Sequence, residues 1–295
     1  MHVVRFYPYL KSSRPSQWYK NVLVLSVPLS AGLGYSQSLV TGLALTTISF
    51  VLVSAGLYTY NDIVDKQTDR SNPAKASRPV AAGTISTASA IFFAIACVAS
   101  GLLLSSAVAR NVLYVLLAYC VLMLLYNYKL KSIPWLDVLV VSLGFVLRML
   151  AGAAAADEHI TIGFSVIGLS GASLMLLGKR LSETVNTGRS NIPRRKVLEF
   201  YSVKSLRQAM HGSLLVATLA YFFVGLSAYD SYSIYSALYY MSNVFMFTSG
   251  LVYINYSLKG KTEVPELVLV KHPYAAALVV LWALFFLITA YAPGA

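Results

Sequence analysis

Acidic side chains are scarce in this chain. Its 295 residues hold 11 Asp and Glu against 23 Lys and Arg, and charged residues of all kinds make up only 12%. A soluble domain carries about twice that share, which argues against a freely soluble globular fold. Cysteine is equally sparse: Cys97 and Cys120 both fall inside apolar runs, where they read as small packing side chains rather than a disulfide or a metal site. The four histidines, at 2, 159, 211 and 272, have neither metal-ligand nor catalytic spacing. Residues 1–20 carry Arg5, Lys11, Arg14 and Lys20 and lead into an apolar run without a small-residue cleavage site, so no signal peptide is expected. Repeats of 20 to 50 residues and low-complexity tracts are absent as well.

What the chain has in abundance is hydrophobic sequence, 57% of the whole. Apolar runs near 21–36, 38–60, 85–106, 111–128, 135–155, 160–178, 208–228, 232–255 and 273–292 are each about long enough to cross a bilayer as a helix. The expected fold is an all-α polytopic membrane protein of about nine transmembrane helices, forming a single domain over 1–295. Of the 23 Lys and Arg, 21 fall in the alternate segments 1–20, 61–84, 129–134, 179–207 and 256–272. Lys and Arg are retained on the cytoplasmic side, so the N-terminus and these segments are expected there, with 61–84 and 179–207 forming the polar site. The net charge of +12 follows from that bias and from anionic headgroups. Nucleic acid is a poor partner, because the basic residues sit at helix ends.

Against this background the stretch "NDIVDKQTDRSNPAKASRPVAAG", 61–83, stands out for three aspartates and four basic residues. Asn61, Asp62, Asp65 and Asp69 fall within about 100° of one another on a helix of 100° per residue, so all four are expected on one face of a single helix terminus. Asn72-Pro73 ends the helix, since the residue before proline avoids the helical region. Stacked carboxylates repel, and a helix C-terminus disfavours anions, so a purely structural helix end would avoid this arrangement. Paired carboxylates suit Mg2+, which takes one or two of them and completes its shell with water and phosphate. Lys75 and Arg78 follow, with Arg70 at the helix end, and these are side chains that grip phosphate oxygens. Arg70 reads equally as a positive-inside anchor.

At these residues the sequence resembles the UbiA-type superfamily of intramembrane prenyltransferases, whose first aspartate-rich motif reads NDxxDxxxD. Four further segments are similar to one branch of it, the decaprenyl-phosphate phosphoribosyltransferases: "RPSQWYKNVLVLSVPL" at 14–29, "DRSNPAKASRPVAAG" at 69–83, "LKSIPWLDVLVVSLGFVLRMLAGAAA" at 130–155 and "LGKRLSETV" at 177–185. The resemblance runs over nearly the whole chain and weakens after about residue 208. It implies a multi-pass inner-membrane protein of a bacterium, with Mg2+ held by Asp62, Asp65 and Asp69 at the cytoplasmic face. It also implies transfer of 5-phosphoribose from phosphoribosyl diphosphate (PRPP) to a polyprenyl phosphate. Prenyl-diphosphate users carry a second aspartate-rich motif after the sixth span; here "GKRLSETVNTGRSNIPRRK" has Glu183 and no Asp. A basic second pole suits a phosphate-bearing acceptor.

Other candidates are phosphate contacts. Lys179 and Arg180, with Glu183 four residues after Lys179, either anchor the sixth span or hold phosphate; the resemblance favours phosphate. Arg148, about halfway through the fifth span, is costly at that depth and either is a buried strut or meets a phosphate. Asp137 is placed to orient Lys129 or Lys131, which serve as phosphate contacts or snorkelling anchors. Lys20 has the same two readings. An aromatic prenyltransferase of the same superfamily is the alternative enzyme, and the missing second motif argues against it. A transporter would line a midplane path with charge, whereas here Arg148 is the sole deep exception.

Overall fold

The computed structural model describes residues 3–34, 36–73, 75–187, 196–229 and 233–291. The basic stretch 189–195 therefore lies outside the described residues. Those described are helical with no strand. Eight helices are long and apolar enough to cross a membrane: α1 Gln37–Val64, α2 Thr87–Val108, α3 Arg110–Tyr128, α4 Leu136–Ala155, α5 Ile162–Thr187, α6 Val203–Ala228, α7 Ile234–Leu258 and α8 Pro273–Ala290.

Eight of the nine expected spans are thus continuous helices. The run at 21–36 is not: Pro15–Leu25 winds as a 3-10 helix and Ser26–Ser30 adds one α-turn containing Pro28. Arg14, before the run, contacts Asp62 near the end of α1, and Ser36 at the end of the run caps the start of α1.

Helix starts follow capping chemistry. Ser36, Ser86 and Ser233 each accept from the backbone N–H three residues on, and Ser202 with Ser205 closes a reciprocal capping box. Pro273 opens α8 from a first-turn position, where its missing N–H costs nothing.

The chain divides into two compact units. Residues 1–28, 34–130 and 147–159 make the first. Phe50, Val53 and Leu57 of α1 pack with Val112, Leu116 and Tyr119 of α3, Val24 of the 3-10 segment and Ala151 of α4. Two glycines set how closely its elements approach. A Cβ on Gly56 would stand 2.6 Å from the Ala94 carbonyl oxygen of α2, and one on Gly152 would stand 1.7 Å from that of Val24. Small residues of this kind let backbones touch where lipid removes the hydrophobic drive for helix association.

Residues 29–33, 131–146 and 160–295 make the second unit. Its core joins Leu174, Leu177 and Leu181 of α5, Leu206, Met210 and Leu214 of α6, Ile254 of α7, and Val138 at the start of α4. Val197, Leu198 and Tyr201 close that core from the segment between α5 and α6. Helix α4 contributes its first half to this unit and its second half to the other. Large apolar side chains such as Phe92, Leu103 and Val280 are exposed, as a hydrocarbon solvent requires.

Candidate functional site

Helix α1 does not carry all four motif residues on one uninterrupted face. It ends at Val64; Asp65 has non-helical angles, φ −88° and ψ 5°, and a separate turn runs Lys66–Arg70. Asp62 and Asp69 nevertheless converge, with Arg78 between them: its Nη1 donates to Asp62 Oδ1 at 3.1 Å and to Asp69 Oδ2 at 2.8 Å. Both carboxylates are almost wholly enclosed, 2% and 1% exposed. Lys75 Nζ stands 3.8 Å from Asp69 Oδ1.

Asp65 is half-buried and belongs to a neighbouring bond rather than to the Arg78 bridge. Asn61 Nδ2 donates to Asp65 Oδ2 at 3.2 Å and also to Asn127 of α3, which ties the aspartate-bearing end of α1 to that helix.

The loop after the motif is held from below and from the side. Val80, Ile85 and Ala90 are buried together against Tyr9 and Ile63. Arg70 Nε donates to the Ala81 carbonyl at 2.8 Å, Lys66 Nζ to Thr87 at 2.9 Å and Lys11 Nζ to the Ser77 carbonyl at 2.9 Å. These bonds give Arg70 and Lys66 loop-fastening work and leave Arg78 and Lys75 aimed at the carboxylates.

Arg14 is the residue that sequence reasoning passed over. It bonds Asp62 Oδ1 directly, and its guanidinium carbon lies 5.1 Å from the centroid of the Tyr58 ring. Its backbone is left-handed at φ 52°, strained for a side chain of its size. Strain of that kind persists where surrounding contacts fix it. Here they are the Trp18 Nε1 bond to the Ser13 carbonyl at 3.1 Å and the Ser12 hydroxyl bond to Thr59 at 3.2 Å. The only hint in the sequence was that Arg14 opens the segment resembling the phosphoribosyltransferase branch.

Three cations therefore surround two buried carboxylates. Among the described residues no three Asp, Glu, His or Cys side chains are grouped as a ready-made metal cage. The donor set still fits a hard divalent ion: two carboxylates from different helical turns lie within reach of one cationic nitrogen, which stands in for the ion, and all their donors are oxygen.

The remaining candidates separate. Arg148 is 4% exposed and lies deep in the first unit; its Nε donates to Asn21 Oδ1 at 2.8 Å and its Nη2 to Tyr119 Oη at 2.8 Å and Ser54 at 3.4 Å. It also stacks over the Tyr119 ring at 4.7 Å. These bonds pin the 3-10 segment to α1, α3 and α4, the strut reading. Lys20 is half-buried, with Nζ 6.0 Å from the centroid of Tyr19.

In the second unit Asp137 does not orient Lys129 or Lys131. It is enclosed and accepts from Arg180 Nε at 2.8 Å and from the Tyr201 hydroxyl. Arg180 Nη1 donates to Glu183 Oε2 at 2.7 Å, a pairing three residues back. The Tyr201 oxygen accepts in turn from the Trp135 N–H at 2.7 Å. Burial, then the bond to Asp137, pushes the Tyr201 hydroxyl well above its ordinary pKa. Arg180 is committed to two carboxylates as the centre of a buried network; Lys179, next to it in sequence, and Lys131, just before α4, are half-buried.

The UbiA prenyltransferase family pattern matches residues 23–264. Decaprenyl-phosphate phosphoribosyltransferase of Corynebacterium glutamicum is 35% identical over 202 residues, which is 67% of this chain and 61% of that protein. The enzyme of the same name from Mycolicibacterium smegmatis is 34% identical over 202 residues, 67% of this chain and 64% of its own length. That from Mycobacterium tuberculosis is 33% identical over 230 residues, 76% and 75% of the two chains. The chain thus spans less than two thirds of the first two relatives. A UbiA homolog from Archaeoglobus fulgidus, solved with GPP and Mg2+, superposes with a TM-score of 0.72 over 97% of this chain and 100% of that one. At 19% identity that likeness speaks for the fold alone. Pattern, relatives and fold agree: the chain belongs to the UbiA prenyltransferase family.

Proposed function

We propose that the protein transfers 5-phosphoribose from phosphoribosyl diphosphate to a polyprenyl phosphate, releasing diphosphate, at the cytoplasmic face of a bacterial inner membrane. The observation that carries this reading is the pair of buried carboxylates, Asp62 and Asp69, gathered on one cation and flanked by Arg14, Lys75 and Arg78. Carboxylates for a hard ion and forked cations for phosphate are the two halves of a diphosphate donor site. The names of the relatives at 33% to 35% identity support the choice of donor and acceptor.

Asp62 and Asp69 would hold Mg2+, with Asp65 as a third ligand directly or through water and Asn61 keeping Asp65 in place. When bound, the ion draws charge from the diphosphate and makes it a better leaving group. Arg14, Lys75 and Arg78 neutralise the phosphate charge that grows as the ribose C1–O bond breaks. The attacking atom is an oxygen of the lipid phosphate, ionised near neutral pH, so no general base is required. Lys20 is proposed to meet phosphate beside the first unit's site. In the second unit Lys131 and Lys179 are proposed to meet the lipid's phosphate. Arg148 and Arg180 shape their units rather than touch substrate. The apolar helices hold the polyprenyl tail.

A donor exchange tests the substrate assignment. Purified protein in detergent with Mg2+ receives either labelled phosphoribosyl diphosphate with polyprenyl phosphate, or a labelled prenyl diphosphate with an aromatic acid. Label entering the lipid phase with the first pair alone is the expected result. Reaction with the second pair alone would make the protein an aromatic prenyltransferase of the same family and sink the phosphoribose assignment.

A further inference from the structure

We infer that Arg14 and Arg78 are exchangeable partners: they hold Asp62 and Asp69 until the donor arrives, then pass to its phosphates as the metal takes the carboxylates. The inference rests on the proposed reading of this site as a metal–diphosphate site, and it assigns Arg14 to that site.

Three observations lead to it. First, Asp62 and Asp69 are buried, and a buried carboxylate left uncompensated is strongly destabilising. Their charge must therefore be matched whether or not a metal is present. Second, the atoms that match it are the ones a metal would need. Arg14 and Arg78 both use Asp62 Oδ1, while Arg78 and Lys75 take the two oxygens of Asp69. With Asp65 beside them, three cations already balance three carboxylates before any ion arrives. Third, the cations are a quarter exposed, whereas the carboxylates they hold are sealed. The arginines are therefore the accessible partners, and part of each side chain is already exposed.

A divalent ion arriving alone meets carboxylates already balanced by cations, and it competes with the guanidinium nitrogens for their oxygens. A diphosphate arriving alone finds the guanidiniums already committed to carboxylates. Arriving together, the ion takes the carboxylates and the anion takes the arginines, so every charge keeps a partner. Metal and anion then bind with positive coupling, which by linkage is the same for both. Arg78 carries most of it, because its one nitrogen closes the bridge between the two aspartates.

The test reads metal binding without turnover. Mn2+ binding to the full-length protein in detergent is followed by the loss of the free-ion electron paramagnetic resonance signal. It is measured alone and with inorganic phosphate, after correction for the phosphate complex in solution. The wild type should bind Mn2+ weakly alone and about tenfold more tightly with phosphate. Arg78→Gln and Arg14→Gln should bind Mn2+ alone more tightly than the wild type, Arg78→Gln by about tenfold, and phosphate should add little. Elution as a single folded peak by size exclusion qualifies each variant, and the phosphate effect on the wild type stands even where a variant fails to fold. Wild-type Mn2+ binding indifferent to phosphate, or an Arg78→Gln protein that binds Mn2+ no more tightly, overturns the exchange while leaving the metal site intact. No Mn2+ binding in any protein, with or without phosphate, overturns the metal-site reading and the exchange with it.

Discussion

Replacing Arg180 by Gln separates two readings of the same residue. The family resemblance favours a phosphate contact; the structure places it between Asp137 and Glu183. Its Nε and Nη2 both reach Asp137 Oδ2 at 2.8 Å, and its Nη1 reaches Glu183 Oε2 at 2.7 Å. The side chain of Asp137 is fully sealed and that of Glu183 is 19% exposed, so solvent screens little of the first pair. Removing one partner of such a buried pair costs about 3–5 kcal/mol, chiefly for the carboxylate left behind. For a chain this long that lowers the melting midpoint by on the order of ten degrees. The assay is the midpoint in detergent, followed by the height of the folded size-exclusion peak after heating. Transfer is measured in parallel, well below both midpoints. The variant should melt early, yet its KM for the donor should stay close to that of the wild type. The double variant Asp137→Asn with Arg180→Gln should lose less than the two single losses combined, since it leaves no charge stranded at the sealed Asp137 position. An unchanged midpoint with a strongly raised KM would refute the network and restore Arg180 to the substrate.

Other outcomes follow from the same geometry. Tyr201→Phe should destabilise by about 1–3 kcal/mol, because the Trp135 N–H loses its acceptor and Asp137 loses a donor; a thermal melt reads it. The Tyr201 pKa is raised on folding, so its contribution is complete below the ordinary tyrosine value of 10.0 and is lost as pH rises above it. The Phe variant should show a shallower alkaline fall in melting midpoint, and an identical fall would contradict the burial. Gly152→Ala should fold poorly, since its Cβ would meet the Val24 carbonyl backbone at 1.7 Å; yield of the monodisperse peak is the measure, and a wild-type yield would contradict the close approach. Arg148→Lys keeps the charge but loses the fork to Asn21 and Tyr119, so it should lower the melting midpoint with transfer per folded molecule preserved.

Hydrophobic run length gave away the architecture, because a 20-residue apolar segment has few other uses. It could not tell a continuous helix from the 3-10 passage over Pro15–Leu25, which packs its backbone closely on Gly152, 127 residues or more away in sequence. The aspartate spacing put Asn61, Asp62, Asp65 and Asp69 on one face; the structure brings Asp62 and Asp69 together and bonds Asp65 to Asn61. Angular arithmetic sets Asp62 and Asp69 about 20° apart, and they meet through Arg78 although the helix breaks at Asp65, which the spacing did not show. Arg14 and the Asp137–Arg180–Tyr201 network were illegible for a different reason. Those bonds join residues 48, 43 and 64 positions apart, and positive-inside placement explains each basic residue well enough alone to hide its partner.

The central claim is that Asp62 and Asp69 form the donor's metal site. Its most direct test is label transfer from phosphoribosyl diphosphate to polyprenyl phosphate by wild type, Asp62→Asn and Asp69→Asn, each with Mg2+ and with chelator. The wild type should give metal-dependent product, and both folded variants should lose transfer. Product that survives chelation, or a folded Asp69→Asn protein as active as wild type, would contradict it.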